Sequence, residues 1–134
     1  MGMYTEIYVN VTFIEDLPED VRIILDRMCE VDINYFAEND HLPYRWGLLF
    51  NDNSYYTPKT NVANFTYDKI SKQWSLLGKG DIKNYENEIE MFFKFIDPYV
   101  DAPVGNFIGY SRYEENNNPM LYFKVTENQE DTNQ

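Results

Sequence analysis

Few side chains in this sequence could do covalent chemistry, since it holds one histidine and one cysteine among 134 residues. His41 lies between Asp40 and Leu42-Pro43, with no nucleophile close to it along the chain. An imidazole acts as a general base only where a nucleophile and an orienting group share its site, so a surface-loop histidine is the simpler reading. Cys29 follows Met28 and is trailed by Glu30 and Asp32. Negative neighbours and a helix C-terminus both disfavour a thiolate, so Cys29 is expected to be unreactive. One Cys and one His cannot build a zinc site.

Asn51-Asp52-Asn53 resembles the start of a calcium loop, but Tyr56 stands where the sixth-position Gly belongs and Val62 where the twelfth-position Glu belongs. Gly78-Lys79-Gly80 has neither the spacing of a phosphate loop nor a helix directly after it. No cofactor or metal is implied. Carboxylates are abundant: Glu86 and Glu90 are spaced one helical turn apart, and so are Asp16 and Glu19. A general acid–base pair could be drawn from many of them, which leaves a small carboxylate- or His41-dependent hydrolase as an alternative without a chosen site. Glu19, Asp20, Glu86 and Glu88 also fall in expected first turns, where negative charge offsets the helix dipole without any further role.

Charge limits the partners. With 23 acidic and 11 basic side chains the net charge is −12, which opposes direct binding to nucleic acid or to an anionic membrane surface. The charge is uneven. Residues 1–41 hold 10 acids and 2 bases, residues 42–83 hold 3 and 6, and residues 84–134 hold 10 and 3. No apolar run approaches the ~20 residues of a membrane span, and no signal peptide opens the sequence. A cytoplasmic setting is expected, and the lone cysteine excludes an internal disulfide.

The elements that must position any site can be read from periodicity. Residues 4–13 alternate, with Ile7, Val9, Val11 and Phe13 on one face, which predicts a half-buried strand. Asp16-Leu17-Pro18-Glu19 reads as a capping box, and Val21, Ile24, Leu25 and Met28 predict an amphipathic helix over 17–29. Residues 30–45 read as irregular, Trp46 to Phe50 as a short strand, Asn51 to Ser54 as a turn, and Tyr55-Tyr56 as a further short strand. Residues 62–67 and 73–79 suit a hairpin with Phe65 and Tyr67 facing Trp74 and Leu76. A second helix is predicted over 85–96, capped by Asn84, stopped by Pro98 and buried through Tyr85, Ile89, Phe92, Phe93 and Ile96. Strands near 105–113 and 119–126 follow.

These elements predict an α+β domain over 1–126: one antiparallel sheet of five to six strands with two helices on one face, and a charged tail over 127–134. The order strand–helix–strands occurs twice, suggesting two related halves.

The chain is rich in aromatics, with 12 Tyr, 9 Phe and 2 Trp, more than a core of this size takes up. Alternation along 105–113 puts Phe107, Gly109, Ser111 and Tyr113 on one face and Ile108 and Tyr110 on the other. A tyrosine-lined sheet face away from the helices follows; such a face either receives a partner or simply stabilises the strands by cross-strand pairing. Met3-Tyr4-Thr5-Glu6, the helix entry Leu17 to Val21, and Lys83-Asn84-Tyr85-Glu86-Asn87-Glu88-Ile89-Glu90 resemble small uncharacterised proteins of Gram-positive bacteria and their phages. The resemblance implies a bacterial or phage cytoplasm and no particular activity.

The favoured functional expectation is a non-enzymatic binding or accessory protein with a protein partner. It would act through an acidic helical layer (Glu19, Asp20, Glu86, Glu90) or through the aromatic sheet face, with Trp46, Tyr110 and Tyr113 as candidate contacts. The acidic layer would imitate phosphates, as in a phage-type inhibitor of a nucleic-acid-binding enzyme. Exposed tyrosines and strand edges further suggest a homodimer.

Overall fold

The computed structural model describes residues 4–30, 32–39, 41–50, 61–83, 87–113 and 118–127. Strand β1 (Thr5–Thr12) leads through a short turn into helix α1 (Glu19–Cys29), then α2 (Ile33–Glu38) and a 3-10 turn (Tyr44–Leu48). The hairpin β2 (Val62–Asp68) and β3 (Gln73–Ile82) follows, then α3 (Glu88–Ile96), a 3-10 turn (Asp97–Tyr99), β4 (Phe107–Tyr113) and β5 (Met120–Phe123). The strands form one antiparallel sheet in the order β2-β3-β1-β4-β5. This is the split βαβ order, β1-α1-β2 interleaved with β3-α3-β4, with β5 added outside β4. Each half expected from the sequence contains a β-α-β unit, but among the described residues only the second carries a further strand, β5.

One face of the sheet carries the core. Ile7, Val9 and Val11 of β1 lie beside Leu76 and Ile82 of β3 and meet Val21, Ile24, Leu25 and Met28 of α1 and Ile89, Phe92, Phe93 and Ile96 of α3, all buried. Phe92 is ringed by aromatics, with Trp46 and Phe50 edge-on at 6.0 and 5.6 Å. Gly80 lets the segment after the first 3-10 turn lie directly on β3: a Cβ there would sit 2.5 Å from the Leu49 carbonyl oxygen and 3.0 Å from the Phe50 Cα. The β2–β3 hairpin has the expected aromatic pairing, with Phe65 stacked on Trp74 at 4.7 Å and Tyr67 tilted against it at 5.2 Å.

Local details differ from the sequence expectations. Trp46 to Phe50 is not a strand. Trp46, Leu49 and Phe50 are all buried, and a short run that is apolar on every side cannot be assigned by period. Residues 33–38 form a helix rather than a loop, started by Asp32, whose carboxylate accepts from the Tyr35 amide at 3.2 Å. Asp16 does not cap α1. The helix starts at Glu19 after Pro18 with no side-chain cap, and the Asp20 carboxylate accepts from its neighbour Val21 N at 2.9 Å instead. The residue before α3 is Asn87, in a left-handed conformation at φ 63°, while the expected cap Asn84 and Tyr85 lie outside the described residues. So do the expected turn at Asn51 to Ser54, the strand at Tyr55-Tyr56, and most of the tail. No helix among the described residues is long and apolar enough to cross a membrane.

Candidate functional site

Among the described residues no element covers the face of the sheet opposite the helices, and cross-strand register decides what it displays. Lys79 pairs with Tyr8, Tyr8 with Tyr110, and Tyr110 with Leu121, so one row of side chains runs across β3, β1, β4 and β5. Tyr8 and Tyr110 stack with ring centroids 5.5 Å apart. The next row holds Asp81, Glu6 and Arg112. Glu6 lies between two cations, 3.5 Å from Lys79 Nζ and 3.6 Å from Arg112 Nε. Burial raises the Tyr110 phenol above its ordinary pKa, and the charge of Glu6 and its hydrogen bond with that carboxylate add to the effect.

A β-bulge in β4 between Phe107 and Gly109 enlarges the apolar part of this face. Both Ile108 and Gly109 turn toward the helices, and Ile108 is buried there. Phe107 therefore joins Tyr110 on the open face, instead of sharing a face with Gly109 as strict alternation would have it. Phe107 pairs with Phe123, their rings edge-on at 6.1 Å. Phe107, Leu121 and Phe123 are 45%, 47% and 46% exposed. Together with the Tyr8–Tyr110 stack they make a contiguous apolar and aromatic patch over β1, β4 and β5. Sequence reasoning found the tyrosines but not Leu121 or Phe123. The signal was Met120-Leu121-Tyr122-Phe123, a fully apolar run at the sheet edge, where one side of the strand must face water.

On the helix side of the same edge, a groove of about 440 Å³ runs between α3 and β5, lined by Phe93, Ile108, Tyr122, Phe123 and Val125 with Glu90 and Lys94 beside it. Its lower end is closed by a clasp. The Asp97 carboxylate accepts from Val125 N at 2.8 Å, Thr126 N at 2.9 Å and Thr126 Oγ1 at 2.6 Å. The buried Lys124 ammonium donates to the Asp97 carbonyl oxygen and to Thr126 Oγ1. Burial pushes the Asp97 pKa up, but these hydrogen bonds and the Lys124 charge outweigh it and hold the carboxyl below its usual range.

The remaining candidates are dispersed. Glu19 and Asp20 are exposed at the start of α1, and Glu90 is exposed on α3, but Glu86 lies outside the described residues. The helical layer is less uniformly acidic than expected: Arg27 bridges Glu30 and Asp32, Arg22 sits over Trp74, and Asp97 is buried in the clasp. Glu88 is also buried, 3.8 Å from Arg45. Trp46 is corrected from surface contact to core residue; it is 3% exposed and its Nε1 donates to the Glu88 carbonyl oxygen at 3.0 Å. Tyr113 lies on the helix side of β4, paired with Thr5, and is not part of the Tyr110 face. His41 is exposed. Burial, then Asp26 and Glu30, push the Cys29 thiol up to about 12. Among the described residues no three His, Cys, Asp or Glu side chains gather to hold a metal ion.

Compared with protein-family models, curated proteins and solved structures, the chain matches none. Function therefore has to be argued from surface chemistry, since a sheet topology alone assigns none.

Proposed function

We propose that this is a non-catalytic binding protein whose contact surface for a protein partner is the open sheet face around Tyr8, Tyr110, Phe107, Leu121 and Phe123. The observation that carries this reading is the contiguity of three half-exposed apolar side chains with a stacked tyrosine pair on a face that no element of the described chain covers. Contiguous exposed apolar surface rimmed by charge is characteristic of interaction sites, and tyrosine contributes large contact area at small conformational cost. Lys79, Glu6 and Arg112 form the polar rim that would fix the register of the partner.

Phosphate mimicry by the helical layer is the narrower expectation and has less behind it, because Arg22 and Arg27 interrupt the acidic surface of α1. The two surfaces are separated by capturing partners from a Gram-positive bacterial lysate with the wild type, with Tyr8→Ala/Tyr110→Ala, and with Glu19→Lys/Asp20→Lys. Loss of the captured protein with the tyrosine pair alone is the expected result. Loss with the charge-reversed α1 alone would move the site to the helices, and retention by both variants would sink the sheet-face reading.

A further inference from the structure

We infer that β5 is a strap that lifts off β4 as one unit while the rest of the sheet stays folded, and that the Asp97 clasp is the latch that keeps it down. The split βαβ core, β2-β3-β1-β4 with α1 and α3, is complete without β5. Among the described residues β4 is the one strand that β5 pairs with, and β4 keeps its own pairing to β1 when β5 is lifted. Little side-chain burial holds the strap. Met120 is 60% exposed, Leu121 and Phe123 are about half exposed, and within β5 only Tyr122 turns inward, onto Phe93. In β1, by contrast, Ile7 and Val9 are fully buried. Local opening takes the least free energy where few apolar side chains are buried and pairing is one-sided.

What the strap lacks in burial the clasp supplies. The fixed half of the clasp belongs to the core: Asp97 follows the buried Ile96, and its carbonyl accepts from the amide of the buried Val100, which bridges to Phe13. The moving half is Lys124 to Thr126, directly after β5. Val125 and Thr126 direct three hydrogen bonds onto the Asp97 carboxylate. The buried Lys124 ammonium donates to the Asp97 carbonyl oxygen and to Thr126 Oγ1, with the carboxylate as its opposing charge. A buried ammonium persists only with such compensation. Without the Asp97 charge, Lys124 is more stable in water, and it takes the end of the strap with it.

Lifting the strap changes both faces of the sheet. Leu121 and Phe123 leave the open face, where they pair beside Tyr110 and Phe107. On the helix side Tyr122 leaves Phe93 and uncovers its ring. The clasp therefore decides whether the apolar part of the open face is complete. The inference concerns the protein alone and stands whether or not that face binds a partner.

Native-state amide exchange followed by NMR, on the isolated protein in low concentrations of urea, tests the strap. Two amides report on it without being bonded to the Asp97 carboxylate. Lys124 N–H donates to Asn106 O at 2.8 Å, and alternation turns Tyr122 N–H the same way, toward β4. In the wild type both should exchange through one common opening, faster than Ile7 and Val9 of β1. Their exchange should also depend less on urea, since lifting four residues exposes little surface. Asp97→Asn should speed both by about tenfold or more, because it removes charge-assisted hydrogen bonds. Thr126→Val removes one of the three bonds to the carboxylate and should act on the same two amides by a smaller factor. It carries the test if Asp97→Asn does not fold. Tyr122 and Lys124 amides that share the rate and urea dependence of β1 overturn the inference, because the strand is then released only with the whole fold. Acceleration confined to Val125 and Thr126 also overturns it, because the clasp then frays without lifting the strand.

Discussion

Phe93 of α3 lies flat on Tyr122 of β5, with ring centroids 4.0 Å apart and planes 10° from parallel. This contact joins α3 to the strand added outside the split βαβ core. The Tyr122 hydroxyl is 3.1 Å from Ser111 Oγ, so the ring is fixed at both its face and its tip. Burial, with a smaller contribution from Glu90, raises the pKa of its phenol above the ordinary value, against the opposing hydrogen bond to Ser111.

A double-mutant cycle with Phe93→Leu and Tyr122→Leu should therefore show coupling. Stacked aromatic pairs contribute roughly 0.5–1.5 kcal/mol beyond their buried area. Urea unfolding of the four proteins measures it, and additive effects would mean that the stack is only shared burial.

Phe92, fully buried between Trp46 and Phe50, should be the costlier position. Phe92→Ala is expected to destabilise by about 3–5 kcal/mol through lost transfer energy and the cavity left behind. A shift in the urea midpoint with an unchanged slope would show that stability and not the unfolded state has moved.

Gly109→Ala should destabilise despite its small size. The added methyl would meet the Tyr8 carbonyl oxygen and, at 2.7 Å, the Phe93 ring. Overpacking of this kind costs about 1–3 kcal/mol, and here one of the contacts is backbone that cannot rotate away. Thermal unfolding should show a lower midpoint, and an unchanged one would mean that β4 shifts freely.

Asp97 predicts an acid limb of stability. Its folded pKa lies below the unfolded value of about 3.9, so its contribution is fully present above that value and is lost as pH falls through the folded pKa. Asp97→Asn should lower stability at neutral pH and flatten the dependence at the acid end. A parallel pH profile for wild type and variant would remove Asp97 as the titrating anchor.

Cys29, with its pKa near 12, should react very slowly with a thiol reagent at neutral pH in the native protein and readily once urea unfolds it. Fast native labelling would contradict the raised pKa of this half-buried thiol.

The sheet, both long helices and ten of their core residues were legible because β1, α1 and α3 are strongly periodic: Val9 and Val11 alternate, and Val21 to Met28 and Ile89 to Ile96 keep helical spacing. Residues 33–50 were not legible. A short segment buried on all sides, such as Trp46 to Phe50, has no period to read, and burial is decided by packing under Phe92 and over Gly80. The site was half legible. Tyr110 stood out by type, but its neighbours depend on cross-strand register and on the β4 bulge, and neither leaves a local mark in sequence. Asp97 was no more legible: in sequence it is one more acid after the helix, and only the return of Lys124 to Thr126 makes it an anchor.

β1 precedes β3 and β4 in sequence and is the middle strand of the finished sheet, held between them. Both of its hydrogen-bonding partners follow later, β3 at Gln73–Ile82 and β4 at Phe107–Tyr113. The central ladder cannot close during translation until residue 113 has emerged. Until then the apolar edge of β1, with Ile7, Val9 and Val11, is exposed to other nascent chains. Folding is therefore expected to be slow and largely post-translational, as for other folds dominated by distant pairings, and yield should depend on how crowded the expressing cell is.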